Sequence, residues 1–243
     1  MQTQYATHQP QTQRGFTPIP SMVMRNEGAD DGMVGLAALG TVVTYDRGAA
    51  AYREGDPALH WYKVVSGTGC TSKLLPDGRR QIGTFLHAGD FFGFEALDDY
   101  GFAAEAITEM IVIRYPKQRT EALARSDSAI SRRFREIACR SLTTAYERLL
   151  TLGRKTASER VATFLLELAD TASDGKTIGL TMSRTDIGDY LGLTLETVSR
   201  TLAALKRDGL IDMAGPHSLV LLDRPALEEM TEGDEPAIRN CRA

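Results

Sequence analysis

The segment Met182–Leu205 constrains this chain more than any other stretch. Ser183, followed by Asp186 three residues on, makes a capping-box-like helix start. A first helix is expected over Arg184–Leu191, then a turn of Gly192, Leu193 and Thr194. Glycine permits the sharp bend, and Leu193 plugs the angle. Thr194 can N-cap a second helix that runs to about Asp208. On it Val198, Leu202 and Leu205 recur at i, i+4 and i+7 and face inward. Glu196, Ser199, Arg200 and Ala203 then lie outward, close together near the N-terminal end. Gly209–Ile211 and Ser218–Leu222 read as a small two-stranded wing. The pattern is a winged helix-turn-helix, whose second helix is the one that enters a major groove of double-stranded DNA. Arginine can donate two hydrogen bonds to guanine and glutamate can accept from cytosine, each contact discriminating by about 1–3 kcal/mol. The competing reading of Glu196 and Arg200 is an exposed ion pair one turn apart.

The rest of the chain supplies two further parts. From Val42 to Pro116 short strands alternate with turn signals: Val42–Tyr45, Trp61–Val65, Cys70–Leu74, Arg79–Leu86 and Met110–Tyr115. Asp77-Gly78 marks a tight hairpin. Such spacing suggests a barrel or sandwich. Helical patterns follow Pro116. Residues 127–153 form a long helix, opened by Asp127 and closed at Gly153. Its apolar positions Ile130, Phe134, Ala138, Leu142, Ala145, Leu149 and Leu152 approximate a coiled-coil seam. Arg132, Arg133, Arg135, Glu136 and Arg140 charge its other faces, which favours a homodimer seam over burial against the chain's own sheet. Another amphipathic helix spans 157–170, with Val161, Phe164, Leu165 and Leu168 inward.

The expected fold class is α+β. A flexible arm (1–30) precedes a β-roll (31–126), a dimerisation helix (127–153), the winged domain (154–227) and an acidic tail (228–243).

Charge tests the nucleic-acid reading. The net is −4, yet residues 117–155 carry 10 positive and 4 negative charges. That basic stretch falls on the dimer helix and the hinge after it. The recognition segment 183–207 is only +1, so modest non-specific affinity is expected, with binding leaning on base contacts. Three cysteines, Cys70, Cys139 and Cys241, are too few and scattered for a disulfide framework or metal cluster. Cys139 reads as a small packing residue. Aliphatic runs such as Met110–Ile113 fall far short of the ~20 residues of a membrane span. The first residues lack a signal peptide's apolar core. A cytoplasmic protein with no membrane partner is expected.

At these residues the sequence resembles the Crp/Fnr superfamily of bacterial transcription regulators, over about residues 35 to 227. Thr194–Arg200 resembles the Fnr-type recognition motif, with Glu196, Ser199 and Arg200 at that family's spacing. Tyr62–Gly67, Leu75–Gln81 and Gly89–Glu95 resemble its β-roll, and Gly153–Arg160 its hinge. The segments together are most similar to the FixK branch, which controls microaerobic respiration, denitrification and nitrogen fixation. The resemblance implies a homodimer on a palindromic site with TTGA-type half-sites. Arg200 would read guanine, Glu196 its neighbourhood and Ser199 the outer thymine. Arg184 matches a DNA-contacting arginine, and Ser183 and Thr185 are phosphate-contact candidates. Thr194 and Thr197 join them as backbone contacts. Activation would recruit RNA polymerase, with Asp170–Lys176 a candidate contact by family position.

Departures narrow the reading. Fnr's N-terminal cysteine group is absent, since Cys70 comes first. Cyclic-nucleotide binders use a Gly-Glu pair and a downstream Arg-Ser. Here Phe94 follows Gly93, Glu95 falls one place late, and Asp98–Glu105 offers no arginine. Some FixK-type proteins carry a redox-sensitive cysteine where Ser183 stands, and serine cannot undergo that oxidation. His60, His87 and His217 are isolated and lack the His-x-His of a cupin-type metalloenzyme. No cofactor and no catalytic residue is expected. The alternatives are an effector-gated regulator of the same fold, taking a cyclic nucleotide or haem, and more remotely a cupin enzyme.

Overall fold

The structure is a computed structural model that describes residues 34–95, 98–215 and 217–232. The expected N-terminal arm, Cys241 and most of the acidic tail lie outside these residues. Contacts gather into two compact units that divide between Cys139 and Arg140.

The first unit opens with α1 (Val34–Ala37), β1 (Thr41–Tyr45), β2 (Ala50–Tyr52), β3 (His60–Ser66) and β4 (Gly69–Leu74). It continues with β5 (Arg80–Leu86), β6 (Phe91–Phe92), β7 (Ala103–Ala106), β8 (Met110–Pro116) and α2 (Lys117–Ser126). The strands build two four-stranded antiparallel sheets, ordered β1-β8-β3-β6 and β2-β7-β4-β5. The five strands expected from sequence are present within a residue or so. The short β2, β6 and β7 are additional, because two to four residues carry too little alternation to be read.

Side-chain alternation explains the core. Val112 of β8 lies between Val43 and Val64 in register, and all three face the roll interior with Met110, Tyr45, Tyr52, Tyr62, Phe92 and Tyr100. The rings of Tyr52 and Tyr100 stack with centroids 3.6 Å apart, and the Tyr100 hydroxyl donates to the His60 carbonyl at 2.5 Å. The opposite face of β8 sends Ile113 and Tyr115 into a second cluster with Leu36, Trp61 and Ile130. Burial on both faces is why this strand reads as an unbroken apolar run.

The helix α3 (Ser128–Arg154) bridges the division. The Asp127 carboxylate accepts from the Ala129 amide at 2.8 Å, the N-cap expected of that residue. Trp61 donates its indole N–H to the Thr120 hydroxyl at 2.8 Å and meets Phe134 edge-on, centroids 5.2 Å apart. Ile130 is 1% exposed in that cluster. Ile130 is thus buried in its own chain and Phe134 half-buried against it.

The second unit follows with α4 (Ala157–Thr171), β9 (Thr177–Gly179), α5 (Arg184–Leu191), α6 (Leu195–Arg207), β10 (Ile211–Gly215), β11 (Ser218–Leu221) and α7 (Arg224–Glu232). α4 starts on a full capping box: Thr156 Oγ1 accepts from the Glu159 amide, and Glu159 accepts from the Thr156 amide at 2.8 Å. Val161, Phe164, Leu165 and Leu168 of α4 are buried, as are Ile187, Leu191, Val198, Leu202 and Leu205 of the two helices beyond. The wing has three strands, ordered β10-β11-β9, where sequence suggests two. β9 is three residues long and finds its partner, Leu219 opposite Ile178, some forty residues later, so no local pattern announces it. α7 also replaces the start of the expected tail. Its Leu227 is fully buried, and Arg224 binds Asp170 at 2.6 Å.

Candidate nucleic-acid interface

The two helices of the motif are set by local chemistry. Ser183 Oγ accepts from the Asp186 amide at 3.1 Å, and Asp186 accepts from the Ser183 amide at 2.9 Å. α5 ends on Gly192 at φ 64°, a left-handed turn that a side chain would strain. Gly188 permits the close approach of the turn: a Cβ there would lie 2.7 Å from the Leu193 carbonyl oxygen. Thr194 then caps α6, accepting from the Thr197 amide at 3.2 Å.

With Val198, Thr201, Leu202 and Leu205 buried, α6 turns Glu196, Ser199, Arg200 and Ala203 to solvent. These positions are three and four apart, hence neighbours on one face. The carboxyl of Glu196 is held below its ordinary range, first by its own backbone amide, then by the Thr194 hydroxyl, and least by Arg200. It is a carboxylate acceptor at neutral pH. Around this face, Thr185 is exposed and Thr197 half-buried. Ser183 and Thr194 are exposed, but both hydroxyls also serve their helix caps. Arg184 is half-buried, its Nη2 3.9 Å from the Met213 sulfur of the wing. Its Nη1 is buried without a hydrogen-bond partner among the described residues. Lys206 and Arg207 pair with Asp212 at 2.8 Å and Asp208 at 3.2 Å, which tempers the positive field of the segment.

Along α3, Ala138, Leu142, Ala145 and Leu149 are exposed and Leu152 is half-exposed. Tyr146 and Leu150, which the sequence reading left out, are also exposed. Arg148 and Arg160 carry no local sequence signal of their role, because their partners in α5 lie far off in the chain. Both bond backbone carbonyls of α5.

Polar groups of the β-roll are held by their own neighbours. Glu95 is tied to the Gly101 amide at 3.3 Å. Arg80 is paired with Glu105 beside Cys70. The rings of Tyr52, Tyr62 and Tyr100 gather in the roll interior. Among the described residues no three His, Cys, Asp or Glu side chains are placed to hold a metal.

Fold and outward triad together define a winged helix-turn-helix transcription regulator carrying a β-roll. Residues 159–230 match the Crp-like helix-turn-helix domain and residues 42–127 the cyclic nucleotide-binding domain. The chain is 42% identical over 200 residues to the nitrogen fixation regulation protein FixK of Azorhizobium caulinodans, covering 80% of this chain and 81% of that one. It is 37% identical over 189 residues to the FixK protein of Rhizobium meliloti, covering 78% and 86%. The structure of FixK2 from Bradyrhizobium japonicum superposes with a TM-score of 0.76 at 42% identity, covering 79% of this chain and 96% of that one. The chain belongs to the Crp/Fnr superfamily of transcription regulators, in its FixK branch. It is a FixK/Fnr-type transcriptional activator, and its relatives are regulators rather than enzymes.

Proposed function

We propose that the protein binds a palindromic DNA site with TTGA-type half-sites as a homodimer and activates transcription by recruiting RNA polymerase. Glu196, Ser199 and Arg200 read the bases. Ser183, Arg184, Thr185, Thr194 and Thr197 contact the backbone. The carrying observation is the outward triad at the capped N-terminal end of α6, the part of a recognition helix that meets base edges.

The seam runs from Ala138 through Leu142, Ala145 and Leu149 to Leu152, with Tyr146 and Leu150 beside it. Leu149 is 69% exposed and Leu142 54% exposed in the single chain, and a second copy would cover them. The names of the relatives support control of nitrogen-fixation genes. Microaerobic respiration and denitrification genes fit the same branch. Action in the cytoplasm fits a chain with no described helix long and apolar enough to cross a membrane. The segment Asp170–Lys176, from the end of α4 into the turn after it, is the polymerase contact we favour. Asp174 stiffens it by accepting from the Lys176 and Thr177 amides at 2.9 and 2.8 Å.

The test is competitive binding of wild type and Arg200→Ala to a TTGA palindrome and a scrambled duplex. Loss of the guanine contact should reduce discrimination by about 1–3 kcal/mol per half-site, roughly 5- to 150-fold. If Arg200→Ala keeps the wild-type preference, Arg200 is not the guanine reader.

A further inference from the structure

We propose that Arg160 is a positioning residue that sets the half-site spacing the dimer accepts. The inference rests on the palindrome-binding dimer just described.

The Arg160 guanidinium donates from each of its three nitrogens to a different backbone carbonyl. Nε reaches Lys155 O at 2.9 Å, Nη1 reaches Leu191 O at 3.0 Å and Nη2 reaches Leu152 O at 2.8 Å. Leu152 lies in the last turn of α3, Lys155 in the link to α4, and Leu191 ends α5. Carbonyls in a last turn have no partner within their own helix, and a cation there complements the negative end of the helix dipole. One planar fork therefore ties together the C-terminal ends of the dimer helix and of the first motif helix. Lysine cannot reproduce it, because its ammonium has no fixed fork.

Arg148 of α3 reinforces the joint. It donates to the Tyr190 carbonyl, next to that of Leu191, and its guanidinium lies 3.2 Å from the Tyr190 ring centroid. Apolar packing does not do this work alone. A cavity of about 290 Å³ opens between α3, α4 and α5, lined by Thr144, Arg148, Thr163, Glu167 and Tyr190 among others. From Leu191 the path to the reading face is short and stiff: the Gly192 turn, Leu193 against Gly188, and then the Thr194 cap of α6. The angle of each recognition helix relative to the dimer helix is thus fixed at the Arg160 fork. Two such heads must reach major grooves about 10 bp apart, so a loosened joint would tolerate other separations.

The experiment measures affinity of the full-length protein for palindromes whose central spacer is unchanged, or one or two base pairs longer or shorter. The variants are Arg160→Met, Arg160→Lys, Arg148→Gln and, as control, Arg200→Ala. A mis-spaced site forfeits contacts in one half, so wild type should prefer its spacing by about tenfold or more. Arg160→Met should cut that ratio to about threefold or less while keeping the preference for TTGA over scrambled half-sites. A merely structural role would weaken binding to every spacer alike, and an unchanged ratio overturns the proposal. Should Arg160→Met fail to melt cooperatively, the ratio is read from Arg160→Lys and Arg148→Gln. Flattening there supports the proposal, and a wild-type ratio in both overturns it. If wild type itself ignores the palindrome and Arg200→Ala changes nothing, the dimer reading has failed and takes this proposal with it. If wild type and Arg200→Ala behave as expected but spacing ratios stay fixed, only the role of Arg160 is lost.

Discussion

Glu196 and Arg200 stand one helical turn apart on an exposed face, and the backbone and the Thr194 hydroxyl hold the Glu196 carboxyl below its ordinary range. The sequence already placed them there, because burial of Val198, Leu202 and Leu205 at helical spacing leaves no other face for positions 196, 199 and 200. Ile130 and Phe134 were not legible in the same way. Periodicity says that a face is apolar, not what covers it, and Trp61 comes from a strand some seventy residues earlier. Arg160 was still less legible, since its partners are carbonyls of three separate segments. Burial pushes the pKa of His60 and of His87 below the ordinary 6.5, with Arg114 adding to the effect at His60 and Asp90 opposing it at His87. A depressed histidine favours the neutral folded state. Its contribution is therefore present above pH 6.5 and lost as pH falls through the folded values beneath it. Melting of the β-roll should drop between about pH 7.5 and about pH 5.5, and a His60→Gln/His87→Gln variant should drop less. Equal drops in both proteins would show that these histidines are not responsible.

At the scale of elements, the motif depends on how closely α5 approaches its own turn. Helix propensity alone would make Gly188→Ala stabilising by up to about 1 kcal/mol. The added Cβ would meet a backbone oxygen at 2.7 Å, which cannot swing aside as a side chain can. Overpacking should win and destabilise the winged domain by about 1–3 kcal/mol. Differential scanning calorimetry reads the sign, and a rise in melting temperature would contradict this packing. The motif helices were legible almost to the residue because caps, glycine turn and apolar period coincide at their ends. The third wing strand was not, because Thr177–Gly179 is defined by pairing with β11 rather than by its own pattern.

For the whole molecule, a net charge of −4 says little about DNA binding, since placement of charge decides it. The basic excess lies mostly on α2 and α3 rather than on α6, and Lys206 and Arg207 are paired with aspartates. In the proposed two-fold dimer, specific contacts made twice would carry the binding. Leu149→Asp puts a charge into the proposed seam at a site already exposed in the single chain. It should weaken dimerisation at least about a hundredfold by sedimentation and leave the melting of each unit near wild type. An intact dimer at micromolar concentration would place the seam elsewhere.

The most direct measurement is selection of binding sites from a pool of random duplexes by the purified full-length protein. A two-fold dimer should enrich a palindrome of TTGA-type half-sites with centres about one helical turn, ~10 bp, apart. Enrichment of a single unrepeated element, or of no sequence at all, would contradict it.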